Sequence, residues 1–327
     1  MENFSPLVII SPFNDVYLNL AAEYLLYEEI GQKRQIFMLW QNSDCVVIGA
    51  NQNAFAECNV DKAKQCNVSI ARRKTGGGAV WHDMGNINFS FVSPKCVYSE
   101  KGNLQIVLNA LSSFGLNATF SGRNDLLCEQ FKVSGSAYLR GKNACLHHGT
   151  LLVNVDKSKL ASFLTPSRSK LAKSGVKSVE SRVKNLAEIN SKITTKVLLT
   201  RLYEAFFEKY PNAKLAKLTE ILPIEKINAK AQIFKNPQYI FAKKQLGVLT
   251  QRGLFEWGTC EIYYSLLGDK IVKDFTIFSD AMQVEILNGI SDFFNSKSIQ
   301  QIQLMLSGYN GDERKILTDI LNLMIKE

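Results

Sequence analysis

RRKTGGGAVWHDMGNINFSF, residues 72–91, is the stretch that decides how the rest of the chain is interpreted. Two arginines precede three consecutive glycines at 76–78. Beyond the glycines, Ile87, Phe89 and Phe91 alternate with polar residues, which is typical of a strand with one apolar and one polar face. The VSIARR sequence just before the glycines also has strand character. The stretch therefore predicts two strands connected by a glycine turn.

The glycine turn is a candidate anion-binding site. Glycine has no Cβ, so a ligand can lie against the backbone, and three neighbouring N–H groups can converge on an anion. Arg72 and Arg73 add positive charge at the mouth of the turn, so a ligand that carries phosphate is the first candidate. A tight hairpin that needs glycine only for its dihedral angles is the alternative. The flanking Arg-Arg and His82-Asp83 pairs favour a ligand.

The composition is that of a globular chain with excess positive charge. Its 327 residues are enough for one large domain or for a large and a small one. The hydrophobic fraction of 46% is ordinary for a globular protein. The apolar run at 7–10 is too short for a signal-peptide core or a membrane span, so we expect a cytoplasmic protein without a membrane partner. The net charge of +9 favours an acidic partner. The basic stretch 157–184 lacks interleaved aromatic residues, so no nucleic-acid partner is predicted.

The order of predicted elements favours an α+β fold, because strands and helices do not alternate regularly. Amphipathic helices are predicted from Asn14 to just before Gly31 and over 103–114, and a further helix is predicted over about 194–210. Strands are predicted over 36–40, 45–49, 125–129, 132–139 and 145–155. Three prolines and a glycine predict irregular or linking chain over 211–250. A further hairpin is expected around Gly268-Asp269.

Polar residues near the predicted strands could carry chemistry. Lys132 stands between Phe131 and Val133, and its ammonium could stabilise charge on a carboxylate or phosphate; a surface lysine is the alternative. In GRND, Asn124 and Asp125 could ligate the Mg²⁺ of a bound nucleotide through oxygen, or they could cap the turn.

His147 and His148 are adjacent on a predicted strand. Neighbouring strand residues point to opposite faces, so the two cannot both bind one ion. One is expected to face a site and the other to pack. P-loop, Rossmann and nucleophile-elbow motifs are absent from the sequence, so those nucleotide sites and that hydrolase site are not supported.

The 72–91 stretch closely resembles the lipoate-binding signature of lipoate–protein ligases. Further motifs resemble the family in the same order: GANQNAFAECN at 49–59, GRNDLL at 122–127, KVSGSAY at 132–138, HHGTLLVN at 147–154 and KLAKSGVKSVESRVKNL at 170–186. A fainter likeness continues through 255–264. The resemblance implies an α+β protein with a mixed β-sheet catalytic domain of the biotin/lipoate ligase fold over 1–246. A small α+β C-terminal accessory domain would occupy 247–327.

The activity implied by the resemblance is ATP-dependent lipoate–protein ligation. Lipoate would attack the α-phosphate of Mg-ATP to give lipoyl-AMP and pyrophosphate, and a lysine of an acidic lipoyl domain would then take the lipoyl group. ATP and Mg²⁺ are the implied cofactors, and lipoate is the substrate. The implied partners are 2-oxo acid dehydrogenase acyltransferase subunits and the glycine cleavage H protein.

The resemblance also implies site residues at matching positions. Nucleotide and adenylate contacts are expected at Arg73, Gly78, Ala79, Val80, Trp81 and Lys132, with Asn124 and Asp125 as magnesium-nucleotide residues. Lipoate contacts are expected at Arg73, Thr75, Gly76, Gly77, Gly78, Lys132, His148 and Thr150. Lys132 is the implied catalytic residue, Asp125 the candidate Mg²⁺ ligand, and 173–182 the loop that closes over the adenylate.

Two other functions remain open at this point. An ATP-independent octanoyl or lipoyl transferase of the same fold could use a cysteine nucleophile, and Cys128 and Cys145 lie near the predicted site in sequence. The third reading is a non-catalytic protein that binds lipoyl domains. The seven cysteines include no CxxC pair, which argues against a disulfide framework and a structural zinc site. Lys132 and the adenylate-loop-like segment favour the ligase.

Overall fold

The computed structural model describes residues 5–122, 124–165, 183–241 and 247–325. The strands in these ranges are β1 Leu7–Ile10, β2 Ile36–Trp40, β3 Cys45–Ile48, β4 Ser69–Arg72, β5 Val80–His82, β6 Asn86–Pro94, β7 Ala118–Ser121, β8 Asp125–Cys128, β9 Phe131–Arg140, β10 Ala144–Leu152, β11 Lys214–Ala216, β12 Leu249–Phe255, β13 Gly258–Leu267 and β14 Ile271–Ser279.

The helices in the same ranges are α1 Val16–Leu25, α2 Ala54–Glu57, α3 Val60–Gln65, α4 Glu100–Ser112, α5 Lys157–Phe163, α6 Leu186–Ile189, α7 Thr195–Lys209, α8 Leu218–Ile221, α9 Ile224–Lys235, α10 Pro237–Phe241, α11 Val284–Asn288, α12 Ile290–Phe294, α13 Ile299–Met305 and α14 Gly311–Ile325. A π-helical turn, Leu26–Ile30, continues α1. Within the described ranges, no helix has the length and apolar character needed to cross a membrane.

One large mixed sheet organises the residues before β12. Its eight strands follow the order β11-β1-β2-β6-β10-β9-β8-β7. β1 pairs in parallel with β2 and β11, whereas the pairs from β2 to β7 are antiparallel. Helices pack on both faces without a regular strand–helix alternation. The predicted α+β class, with a mixed sheet, is therefore confirmed.

The alternation in β6 sorts its side chains between the two faces of the large sheet. Ile87, Phe89 and Phe91 join the hydrophobic core beneath α4 and α7. Asn88 and Ser90 point to the opposite layer, and Ser90 contacts α1 there. Both faces of β6 are buried. The polar face that the sequence predicts is thus an interior surface, which can line a site.

A second sheet, with strand order β4-β3-β5, carries the glycine turn. β3 pairs in parallel with β4 and antiparallel with β5. The turn therefore closes no hairpin, because β3 lies between the two strands that it connects. Cys45 and Val47 of β3 pack toward α1, and Val46 and Ile48 pack toward α2 and α3. The second sheet is thus fixed beside α1, over the polar face of the large sheet.

The 211–250 stretch, predicted to be irregular, was wrongly assigned, because it contains α9 and α10. Pro223 caps the start of α9 and Pro237 is the first residue of α10. Proline is tolerated at a helix start, where its missing N–H has no intrahelical partner. α9 packs along α1, and ion pairs support the contact at Lys226–Glu29 and Lys230–Glu28.

The last part of the chain has its own sheet and core. β12, β13 and β14 form an antiparallel meander, and the turn between β13 and β14 confirms the predicted hairpin. The core of this part unites the sheet with α11 to α14, and Phe275 and Phe294 stack within it at 4.6 Å. The domain division between residues 246 and 247 stays a prediction.

β10 places its two histidines on opposite faces, as predicted. His147 packs among Phe89, Phe91 and Tyr138, with 4.6 Å between the His147 and Tyr138 ring centroids. Its Nε2 lies 3.1 Å from Ser136 Oγ. Burial, and then two nearby basic residues, lower the pKa of His147 to about 3. His147 is therefore a neutral core residue.

We expect the free energy of unfolding to fall as the pH drops from about 6.5 toward 3, because unfolded His147 takes up a proton that the buried ring does not. The unfolded state binds more protons in this window, so stability rises with pH. Between pH 7 and 5.5 the loss is about 1 kcal/mol per such histidine, and His82, whose pKa is also lowered to about 3 by burial, adds its own share.

Urea unfolding of the wild-type protein and His147→Phe at these two pH values measures the effect. The phenylalanine variant should lose about 1 kcal/mol less than the wild-type protein on acidification. An identical pH dependence in both proteins contradicts the assignment of His147 as a neutral buried ring.

Candidate active site

The glycine loop, residues 73–79, joins β4 to β5 and is closely packed. Gly77 has a φ of 86°, which favours glycine. A Cβ on Gly76 would lie 2.1 Å from the carbonyl oxygen of Ala281, and a Cβ on Gly49 would lie 2.2 Å from that of Gly77. Glycine is therefore required at 77 for its dihedral angle, and at 76 and 49 for space. The described C-terminal part reaches the loop through Ala281.

Arg73 holds the glycine loop from the inside. Its guanidinium donates to the carbonyl oxygens of Val47, Gly76 and Gly78 and to Thr75 Oγ1, at 2.5–3.1 Å. The residue is only 6% exposed. Burial lowers the pKa of Arg73 to about 10, and the nearby carboxylate of Glu23, in α1, opposes this shift. The carbonyl oxygens compensate the buried charge, so Arg73 fixes the shape of the loop.

Arg72 is likewise buried and points away from the loop. Its guanidinium donates to the carbonyl oxygens of Gly49, Ala50 and Gln52. It also reaches the carbonyl oxygens of the α10 residues Tyr239 and Ile240. The prediction that Arg72 adds positive charge at the mouth of the turn was therefore wrong, whereas the Arg73 guanidinium does lie within the turn. Ligand contact by Arg73 itself stays a prediction.

A buried relay of hydrogen bonds connects the glycine loop to α1. Arg73 Nε lies 3.1 Å from Thr75 Oγ1, which lies 2.7 Å from His148 Nε2. His148 Nδ1 lies 2.8 Å from Glu23 Oε1. The relay, Arg73–Thr75–His148–Glu23, places a hydroxyl, an imidazole and a carboxylate in line beside the glycines. Thr75, Glu23 and His148 are all buried.

The chemistry of each group assigns the protons of the relay. The Glu23 carboxylate only accepts, so His148 Nδ1 carries a proton. Arg73 only donates, so Thr75 Oγ1 accepts from it. With Arg73 as one donor to its oxygen, the Thr75 hydroxyl can give its own proton to His148 Nε2, an arrangement that leaves Nε2 as the acceptor. In this arrangement the His148 proton lies on Nδ1, toward Glu23, and the Thr75 hydroxyl points at the His148 ring.

The polar face of β6 completes the relay at Glu23. Ser90 Oγ donates to Glu23 Oε1 at 2.5 Å, and Trp40 Nε1 donates to Ser90 Oγ at 2.8 Å. The sequence alone does not single out Glu23, because this residue resembles any polar residue of an amphipathic helix. The available signal is its spacing from Asn19, four residues earlier, which puts two polar residues on one buried helix face.

His82 offers a donor beside the relay. Its Nδ1 lies 3.0 Å from Asn42 Nδ2, and Asn19 Nδ2 donates to Asn42 Oδ1 at 2.8 Å, which fixes the Asn42 amide as the donor to His82. Burial, then Arg73 and His148, lower the pKa of His82 to about 3. The proton therefore resides on Nε2, a buried atom without a hydrogen-bond partner among the described residues. His82 Nε2 is therefore a buried donor that no described residue satisfies.

The backbone after the glycines is more accessible than the Trp81 side chain. Gly78, Ala79 and Val80 are half-buried. The Trp81 ring stacks on Phe163 at 5.0 Å between centroids, and its Nε1 donates to Asp83 Oδ2 at 3.0 Å. The Trp81 ring is therefore part of the core, whereas residues 78–80 keep part of their surface exposed.

Lys132 lies at the other end of the site, on β9. Its Nζ forms an ion pair with Asp125 Oδ1 at 2.6 Å, and both side chains are about one-third exposed. Gly135 N donates to Thr150 Oγ1 at 3.3 Å, and a Cβ on Gly135 would lie 3.1 Å from Lys132 Nζ. Thr150 and His148 share one face of β10. The structure therefore brings Lys132, Asp125, Thr150 and His148 into one row that ends at the glycine loop.

The predicted magnesium residues differ in availability. The Asn124 amide donates to the carbonyl oxygen of Ser136 at 2.9 Å, and Asn124 O accepts from Ser136 N at 2.7 Å, so Asn124 fastens the turn to β9. The Asp125 carboxylate pairs with Lys132 and is about one-third exposed. The described residues contain no group of three or more His, Cys, Asp or Glu side chains that could hold a metal ion. The role of Asp125 as an Mg²⁺ ligand stays a prediction.

The cysteines considered as nucleophiles are poorly placed. Cys128 and Cys145 are each 2% exposed, and burial raises the pKa of both thiols. Cys145 shares the face of His147, which is the face opposite to His148. Neither thiol is both accessible and activated, which favours a route without a thioester.

The predicted adenylate loop, 173–182, lies outside the described residues, but the chain on either side of it is informative. Thr165 N donates to Glu57 O at 2.9 Å, beside α2. Val183 forms a bridge with Lys132, and Lys184 N donates to Lys132 O at 3.1 Å. The described chain therefore resumes directly beside Lys132.

The relay predicts the tautomer of His148, which nitrogen NMR can measure. The chain has three histidines, so the assignment is tractable. We expect a proton on Nδ1 and none on Nε2 of His148, because Glu23 accepts only and Thr75 donates. Thr75→Val should disturb the Nε2 signal, whereas Thr75→Ser, which keeps the hydroxyl, should not. A proton on Nε2 of wild-type His148 contradicts the assigned relay.

Comparisons with known proteins give a consistent picture. Residues 15–207 match the family model described as Lipoyl protein ligase A/B catalytic domain. A protein named Lipoate-protein ligase A, from Psychrobacter cryohalolentis, is 36% identical over 293 residues, which cover 86% of this chain and 85% of the relative.

Solved structures agree. P. falciparum LipL1 in complex with lipoate has a TM-score of 0.84 and 29% identity, over 99% of this chain and all of the other chain. A chain of a bi-partite lipoate protein ligase, solved with its E2 lipoyl domain from Thermoplasma acidophilum, has a TM-score of 0.60 and 25% identity, over 75% of this chain and 99% of its own length. The resemblance seen in the sequence is confirmed, and the chain belongs to the lipoate–protein ligase family.

Proposed function

We propose that this enzyme uses Mg-ATP to convert lipoate to lipoyl-AMP and then transfers the lipoyl group to a specific lysine of a lipoyl domain. The observation that carries the proposal is the row from Lys132 through Thr150 and His148 to the glycine loop. It presents an ammonium group at one end and open main chain at the other. A carboxylate that is activated by a nucleotide needs both features.

In the first half-reaction, a carboxylate oxygen of lipoate attacks the α-phosphorus of ATP. The bond between the α-phosphorus and the bridging oxygen breaks, and pyrophosphate leaves. Negative charge grows on the oxygens around phosphorus, where the Lys132 ammonium can stabilise it. The main chain of 78–81 would hold the adenylate, Gly76 and Gly77 would line the lipoyl chain, and His82 Nε2 would donate a hydrogen bond nearby.

In the second half-reaction, the amine of the carrier lysine attacks the acyl carbon of lipoyl-AMP. The bond from the acyl carbon to the phosphate oxygen breaks, AMP leaves with the electron pair, and the amine loses a proton. Charge again grows on the acyl oxygen and the departing phosphate. Lys132 can therefore serve both half-reactions from one position.

Asp125 would switch partners when the substrates bind. Its carboxylate now pairs with Lys132 at 2.6 Å, which holds the ammonium beside Gly135. A magnesium ion that arrives with ATP would take one Asp125 oxygen, and its other ligands would be phosphate oxygens and water. Lys132 would then be free to contact the α-phosphate.

The carriers proposed are acidic lipoyl domains, in 2-oxo acid dehydrogenase acyltransferase subunits and the glycine cleavage H protein. The net charge of +9 suits an acidic partner. The basic 157–184 stretch rejoins the described chain beside Lys132 at Val183. We propose 1–246 as the catalytic domain and 247–327 as the accessory domain, with 173–182 closing over the adenylate.

Lys132→Ala should abolish adenylate formation. We expect lipoate-dependent release of pyrophosphate to fall by about 10²–10³-fold or more, because the ammonium stabilises charge that develops in the transition state. Lys142→Ala removes an exposed lysine from the far end of the same hairpin and is the matched control. Full lipoate-dependent pyrophosphate release by Lys132→Ala refutes the role of Lys132.

The mass of an apo lipoyl domain after incubation with enzyme and lipoate tests the reaction as a whole. We expect the mass to rise by one lipoyl group only when ATP and magnesium are present. Lipoylation from an acylated carrier without ATP would instead identify an acyltransferase. No transfer under either condition would leave a protein that only binds lipoyl domains.

A further inference from the structure

Lys74 occupies an aromatic cage beside the glycine loop. Its Nζ lies 4.7 Å from the ring centroid of Tyr239, 5.2 Å from that of Tyr24 and 6.0 Å from that of Phe234. The three rings come from α10, α1 and α9. Tyr24 and Tyr239 each meet Phe234 edge-on. An ammonium surrounded by ring faces at these distances is held by cation–π attraction.

The cage is a partly desolvated site, where this attraction is strongest. Burial lowers the pKa of Lys74, the nearby Lys230 lowers it further, and Glu28 opposes the shift. Lys230 is neutralised by its ion pair with Glu28 at 2.7 Å, and its Nζ lies 5.0 Å from the Tyr24 ring centroid. The rings, rather than a carboxylate, therefore provide the contacts for the Lys74 ammonium.

The position of Lys74 in the chain connects the cage to the glycine loop. Lys74 separates Arg73, which shapes the glycine loop, from Thr75, which starts the side-chain relay to His148. Two residues before Lys74, the Arg72 guanidinium binds the carbonyl oxygen of Tyr239 as well. The entrance of the glycine loop is therefore fastened twice to α10.

α9 and α10 lie beyond residues 15–207, which match the catalytic family model. They nevertheless supply two of the three rings of the cage. The glycine loop of this chain is thus supported by a segment that the family's catalytic region does not include.

We propose that Lys74 is a positioning residue, which holds the glycine loop in its binding conformation by placing its ammonium in the Tyr24–Phe234–Tyr239 cage. The expected effect of Lys74 on turnover rests on the proposed adenylation. The expected effect of Lys74 on ligand binding can be measured independently. Without the ammonium, the loop populates other conformations, and the apparent dissociation constants rise in proportion to the lost competent fraction.

The test compares four single variants by titration calorimetry with lipoate and with ATP, by pyrophosphate release, and by thermal melting. Lys74→Met keeps an unbranched side chain without charge, and Tyr239→Leu removes a ring. Both should weaken ligand binding and raise KM by about 2- to 30-fold, with kcat and the melting temperature little changed. Lys74→Arg keeps the cation and Tyr239→Phe keeps the ring, so both should stay within about twofold of the wild-type enzyme.

The double variant Lys74→Met/Tyr239→Leu should have the same ligand affinity as the single variant that binds more weakly, because both substitutions remove the same interaction. Unchanged affinity in Lys74→Met overturns the proposal, as does a lowered melting temperature with unchanged KM. Failure of Lys74→Arg to restore binding overturns it too. Absence of lipoate-dependent pyrophosphate release from the wild-type enzyme would instead overturn the proposed function, and the binding measurements would still decide the role of Lys74.

Discussion

The buried positive charge of Arg73 is the constraint on which the site depends. A guanidinium that is 6% exposed is stable only where oxygen atoms surround it, and here those atoms belong to the glycine loop itself. The loop therefore takes its shape by wrapping a cation. Glu23 supplies the opposite charge from α1, and the relay through His148 and Thr75 links the two. One electrostatic unit thus joins α1, β10 and the second sheet.

The three successive basic residues divide the support of this loop among different parts of the chain. Arg73 faces the loop, whereas Arg72 and Lys74 face α10 and its neighbours. Arg72 and Tyr239 are 167 residues apart in sequence. Ala281, still further along the chain, contacts the loop where glycine leaves space. The geometry of the short glycine loop is therefore set by segments distributed over most of the protein.

Much of the fold could be predicted from local patterns, because strand periodicity and helix amphipathicity are local properties. The alternation in β6 and the opposite directions of His147 and His148 follow from the two-residue strand repeat. The three glycines predict a turn, and the φ of 86° at Gly77 is a conformation that favours glycine. The destination of Arg72 and Arg73 does not follow, since an arginine pair reads as surface charge until the carbonyl oxygens around it are known. Glu23 likewise could not be recognised as a site residue until its partners Ser90 and His148 were known.

The prolines of 211–250 misled the prediction because proline both ends and begins helices, and only packing against α1 decides which. The site residues could be grouped from the family resemblance, but their partners could not. The pairing of Lys132 with Asp125 and the cage around Lys74 depend on contacts between remote elements. Such contacts leave no spacing signal in one sequence.

The most direct measurement is a crystal structure of the enzyme with lipoate and a non-hydrolysable ATP analogue. We expect Arg73 to keep its hydrogen bonds to the carbonyl oxygens of Gly76 and Gly78, while Lys132 leaves Asp125 and contacts the oxygens of the α-phosphate and the carboxylate. An Arg73 side chain that leaves the loop carbonyls and binds phosphate, with Lys132 still paired to Asp125, would contradict this expectation.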